Sequence, residues 1–209
     1  MPTRASPPHP DVERLSAARG SRLADAVSVA ADPGIVVAAL TLLVAWRARP
    51  GWAGVGWAAA ALLFCVLIPY AVLALLLRSG RVTDRQIVRR EQRLIPAVAA
   101  LISLLAGFAV CLRAGAPRPL MALFAALVAA QVTLTLVTLA TKASAHTAVI
   151  AGATAVAVVQ IGPAGLIGLP LVGLVGWARA RAGRHTAAQV VLGGALGAVV
   201  AGGVFALVR

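Results

Sequence analysis

The chain has 209 residues, of which 61% are hydrophobic and 12% charged, and its formal net charge is +13. Soluble domains average about 25% charged residues, so this composition excludes an ordinary soluble globule. Nucleic-acid binding is the poorest account of the charge, because aromatics are only 4% of the chain and no soluble domain is available to present a basic face.

Residues 1–33 mix arginine, acids and proline with little continuous hydrophobicity. They read as a cytosolic tail, partly disordered or with an amphipathic helix along the membrane surface over Arg14–Ala31. The order of a cleavable signal peptide is absent. A bilayer span needs about 20 mostly apolar residues. Gly34–Trp46 is a short first candidate, and Trp52–Leu77, Leu94–Leu112, Pro119–Thr141 and Thr186–Val208 are uncharged stretches of suitable length. Thr147–Trp177 is also uncharged but interrupted by Gly162-Pro163 and Pro170, so it reads as two shorter spans. Strand alternation is absent, which argues against a β-barrel. The expected fold is all-α: a polytopic transmembrane helical bundle of six to seven spans over residues 34–209. Cys65 and Cys111 fall inside spans, without metal-binding spacing, and read as reduced packing residues.

Counting basic residues between spans gives 14 on the face of the N-terminus and 5 on the other. That bias predicts an N-terminus inside and a site facing the cytoplasm, in what is expected to be a bacterial plasma membrane. Whichever way the chain inserts, three polar segments share one face, because two spans separate each from the next. They are the arginine-rich loop Arg78–Arg93, the island Lys142-Ala143-Ser144-Ala145-His146, and the segment from Arg179 to His185. This convergence depends on Gly162-Pro163 being a true turn.

Cations, a hydroxyl and two histidines at one mouth of a bundle suit a phosphate ester. Arginine meets phosphate oxygens with two parallel donors, which makes Arg93 and Arg179 the first candidates, with Arg85 and Arg89 behind them. Lys142 adds a point charge, and the Ser144 hydroxyl can donate at close range. Imidazoles at His146 and His185 suit proton transfer or nucleophilic attack near neutral pH. Paired carboxylates, acidic Mg²⁺ clusters, a P-loop, HExxH and a Gly-x-Ser-x-Gly elbow are all missing from the sequence, which removes the chemistries that need them.

The order arginine-rich loop, Lys-x-Ser-x-His, Arg-x5-His resembles the three motifs of the type 2 phosphatidic acid phosphatases, whose superfamily includes the vanadium haloperoxidases. The family pattern is approximately Lys-x6-Arg-Pro, then Pro-Ser-Gly-His, then Ser-Arg-x5-His-x3-Asp. The resemblance runs from Asp84 through the last span and is most specific over Ala178-Arg179 to His185 and Gln189, followed by the small residues Gly193-Gly194 and Gly197. It implies a phosphatase core that hydrolyses a phosphorylated lipid (phosphatidate-like or a polyprenyl phosphate or diphosphate) without metal or cofactor. His185 would be the nucleophile that takes the phosphoryl group, and His146 would protonate the leaving oxygen.

The chain departs from the pattern at several positions. Ala143 and Ala145 replace Pro and Gly, Ala178 replaces Ser, and the first motif has arginines but neither the lysine nor the Arg-Pro pair. Gln189 stands where the family has the Asp that orients the nucleophilic histidine. Its side-chain oxygen is expected to accept the imidazole N–H in that role, with Asp84 or Glu91 as the nearest acids that could reach across. The competing expectation is a non-catalytic relative that binds phosphorylated lipids or acts as a scaffold.

Overall fold

The computed structural model describes residues 22–83, 92 and 94–209. Every regular element among them is helical. A helix at 22–30 turns at Ala31 and Asp32 into α1 (Pro33–Ala48). The Asp32 side chain accepts from Gly34 N at 2.9 Å, and Pro33 occupies the first turn of α1, where its missing N–H costs nothing. A tight turn at Gly51 leads to α2 (Trp52–Arg78). Then follow α3 (Leu94–Arg113), α4 (Arg118–Ala140), α5 (Ala145–Ile161), a 3-10 segment (Gly162–Gly168), α6 (Leu169–Arg181) and α7 (Ala187–Val208).

Among the described residues, six helical runs are long and apolar enough to cross a bilayer: Arg22–Ala48, Trp52–Arg78, Leu94–Arg113, Arg118–Ala140, Ala145–Arg181 and Ala187–Val208. Large apolar side chains such as Leu75, Ile102, Leu136, Ile167, Val199 and Leu207 are exposed around the bundle, an outer surface that only lipid would cover. The chain is therefore an integral membrane protein by its fold. The first run starts earlier than Gly34, because residues 22–32 pack onto the bundle: Ala24 is 0% exposed and Ser28 1%.

The 37-residue run Ala145–Arg181 doubles back on itself. Gly162 has φ +71°, a conformation that costs glycine nothing and other residues strain. Beyond it, Gly165 lies against the backbone of Val158, Gly168 against Thr154, and Gly176 close to Thr147. Those pairings describe an antiparallel hairpin, so Gly162-Pro163 is a true turn. Its limbs are about 26 Å and about 33 Å long from helical rise per residue, comparable with the ~30 Å hydrocarbon core.

A π turn at Leu63–Leu67 interrupts α2. There Ile68 N bonds Leu63 O, and Pro69 has no N–H, so the Phe64 carbonyl is passed over by its own helix. Ser103 Oγ of α3 donates to it at 2.7 Å. Leu120, Leu123, Phe124, Val156 and Phe205 form the buried centre, with Phe108 edge-on to Phe124 at 6.5 Å. Both cysteines are free thiols. Helix α7 packs tightly on α5: a Cβ at Gly197 would sit 1.9 Å from the Ala148 carbonyl oxygen, the close approach that small residues permit between membrane helices. At the far end, Arg118 Nε donates to Val208 O at 3.0 Å and Arg209 to Val159 O, which places the Gly162 turn and the C-terminus on the face opposite the polar islands.

Candidate functional site

The two islands meet. Helix α4 ends at Ala140, and Lys142, in the connection to α5, donates from Nζ to the Arg184 carbonyl at 2.7 Å. The neighbouring strap holds as well, with Ser144 N bonded to Gln189 O at 3.1 Å. After α6, the chain wraps around the Arg179 carbonyl, which accepts Arg184 N at 3.2 Å and His185 N at 3.3 Å. The Arg-x5-His spacing is therefore one closed turn, which sets the two side chains at the same mouth.

Arg179 is only 4% exposed. A buried guanidinium needs compensation, because an isolated charge in low dielectric is costly. Its charged surroundings are Arg184, which repels it, and Asp25, which attracts it. Arg184 itself pairs with Asp25 at 3.4 Å. His146, half-buried at the start of α5, lies near the backbone of Ser28 and within electrostatic reach of Arg179, Asp32 and Arg184. The Ser28 carbonyl is available because Ala31 N and Asp32 N bond Val27 O and Val29 O instead. The Ser28 hydroxyl, also buried, has no hydrogen-bond partner among the described residues. Asp32 is held by Gly34 N and by the Tyr70 hydroxyl, which donates to its carboxylate.

The N-terminal segment thus supplies acids at the mouth, the part that the sequence pattern assigned to Asp84 and Glu91. Those two, with Arg85, Arg89 and Arg93, lie outside the described residues. Asp25 and Asp32 were missed because they stand more than a hundred residues before the island they face. The one local signal was Asp32-Pro33, an N-cap followed by proline.

Two sequence expectations change role. Ser144 is fully buried and caps α5, accepting Thr147 N at 3.4 Å, so its oxygen serves the helix rather than facing an open mouth. Gln189 closes a capping box at the start of α7: its side-chain oxygen accepts Thr186 N at 3.2 Å while Gln189 N donates to Thr186 Oγ at 3.3 Å. The oxygen expected to orient His185 is engaged there. Lys142, His146, Arg179 and His185 are brought together, with Arg184 joining them.

Beneath this cluster lies an apolar cavity of about 190 Å³ between the helices. Pro33, Gly34 and Tyr70, which surround Asp32, form part of its wall, as does Ala148, two residues after His146. Arg179, Arg184 and Lys142 give the mouth an excess of positive charge, with His146 and His185 in the same two segments. Compared with protein-family models, characterised proteins and solved structures, the chain finds no match.

Proposed function

We propose that the protein is a membrane-embedded phosphatase that removes phosphate from a lipid-linked substrate. The observation that carries the reading is the junction of the two islands. Lys142 bonds the Arg184 backbone, and Arg179, Arg184, His146 and His185 gather around it above an apolar cavity. Excess positive charge next to a hydrocarbon-lined space suits a ligand with an anionic head and an apolar tail.

In this reading a ring nitrogen of His185 attacks phosphorus and the phosphorus–oxygen bond to the lipid breaks. His146 gives its proton to the departing oxygen, which leaves as the alcohol or, from a diphosphate, as the lipid monophosphate. Water then attacks the phosphohistidine, His146 takes a proton from it, and inorganic phosphate departs while His185 is regenerated. Arg179, with Lys142 and Arg184, balances the charge that spreads over the equatorial oxygens. Arg85, Arg89 and Arg93 are assigned to the same phosphate by the motif resemblance.

Purified protein in detergent should release phosphate from phosphatidate or a polyprenyl diphosphate in the presence of chelator. His185→Ala and His146→Ala should each abolish turnover. Phosphate release that persists in both variants would reject the reading.

A second reading has one observation in its favour. Gln189 is committed to the capping box, and an amide in place of an orienting Asp costs about 10⁴ in rate in a serine-protease triad. A folded protein that binds both lipids without turning either over would be a non-catalytic lipid-binding relative.

A further inference from the structure

The cavity under the cationic mouth is built from six helices, α1 to α5 and α7. Along α5 it runs from Ala148 to Val156, roughly 12 Å at the helical rise per residue. Leu123 and Leu127 of α4 face the same space, and Gln131, Thr133 and Tyr70 bring polar groups to its wall. The Gln131 amide already donates to Thr135 Oγ at 3.3 Å. The cavity lining is mostly hydrocarbon.

The cavity is partly open to the surroundings of the bundle, and for scale an enclosed apolar cavity of about 150 Å³ takes benzene. Scaled from benzene's six carbons, 190 Å³ holds a chain segment of roughly seven carbons. A void leaves its lining atoms without dispersion partners, so a chain that enters gains contacts even when it comes from lipid. The upper wall is shared with the polar cluster: Gly34 and Tyr70 line the cavity and also hold Asp32, which faces His146.

We propose that this cavity seats one hydrocarbon-chain segment of a phosphorylated amphiphile, inside the bundle rather than on its lipid-facing surface, with the phosphate end at the cluster of Lys142, Arg179 and Arg184. The proposal rests on the phosphatase reading for its headgroup. It narrows the substrate class to amphiphiles that can present a single hydrocarbon segment of roughly seven carbons to the cavity.

The test uses the full-length protein in detergent with a series of straight-chain alkyl monophosphates from butyl to hexadecyl. Filling the cavity should raise kcat/KM about threefold to fourfold per methylene, then level off near the octyl compound. Partition into micelles, by contrast, continues to rise with every methylene. Ala130→Leu, and Ala153→Leu on another wall, should lower the octyl-to-butyl ratio about tenfold and bring the plateau earlier. A ratio unchanged in both folded variants, with no plateau, would overturn the proposal while leaving the phosphatase reading intact.

If no alkyl phosphate is turned over, the cavity is still tested by binding. A dodecyl phosphate with a mid-chain diazirine should label Leu127 and Gln131 on illumination. Labelling confined to outward-facing Ile102 and Leu136, or none at all, would overturn the proposal.

Discussion

Lys142 Nζ donates to the backbone carbonyl of Arg184 at 2.7 Å across 42 residues of sequence. The bond joins the two polar islands and closes the open end of the α5–α6 hairpin, so one ammonium both locks the fold and adds charge to the mouth. A hydrogen bond from a charged group contributes about 1.5–3 kcal/mol. Lys142→Met should therefore lower the thermal midpoint measurably and weaken binding of inorganic vanadate by about tenfold, or ~1.4 kcal/mol. Vanadate titration beside a thermal melt checks both, and an unchanged affinity would place the ammonium outside the anion site.

Arg184 and Asp25 form the second link across the mouth, but their side chains are 34% and 48% exposed. Exposed pairs of this kind contribute about 0–1 kcal/mol, too little to hold the 22–30 helix by themselves. The carboxylate does compete with any anion for Arg184. Asp25→Asn should leave the melt almost unmoved and tighten vanadate binding about threefold at low salt, with the difference fading as salt screens the pair. Equal affinities for wild type and variant at low salt would contradict this competition.

Asp32 caps α1, accepts from Tyr70 and faces His146. Asparagine is as good an N-cap as aspartate, so Asp32→Asn separates structure from charge. The expected result is a thermal midpoint close to wild type together with a kcat at least tenfold lower and a similar KM. Asp32→Ala should in addition cost about 1 kcal/mol of stability through the lost cap. Steady-state kinetics of the two variants decide the matter, and a fully active Asp32→Asn would leave the residue a cap and nothing more.

Much of this arrangement is legible in the amino-acid sequence. The later spans follow from uncharged runs, whereas the first, Arg22–Ala48, begins in the charged stretch read as a tail. The shared face of Lys142 and Arg179 follows from counting spans once Gly162-Pro163 is taken as a turn, which the hairpin confirms. The capping box is also written there: Thr186-x-x-Gln189 before an apolar run is a helix-start signal. Reading Gln189 as a substitute for a catalytic Asp hid it. Asp25 and Asp32 were not legible, because nothing local in a polar N-terminal stretch reports which interior histidine or arginine it will meet. The π turn in α2 was equally hidden, since Pro69 alone signals a kink but not which carbonyl it frees.

That freed carbonyl gives the last prediction. Phe64 O has lost its own helix's N–H to the π turn and bonds Ser103 Oγ at 2.7 Å. Ser103 is 5% exposed. Interhelical hydrogen bonds in membranes average about 0.6 kcal/mol, whereas an unsatisfied buried acceptor costs about 1–3 kcal/mol. Ser103→Ala should therefore destabilise the bundle by roughly 1 kcal/mol, because the carbonyl is left in hydrocarbon with no water to replace the hydroxyl. Ser103→Thr, which keeps the hydroxyl, should recover most of that loss. Unfolding in a mixed-detergent titration would measure both. A Ser103→Ala variant as stable as wild type would mean that α2 relaxes its π turn to re-satisfy Phe64, and the turn would then be a local choice rather than a fixed feature of the fold.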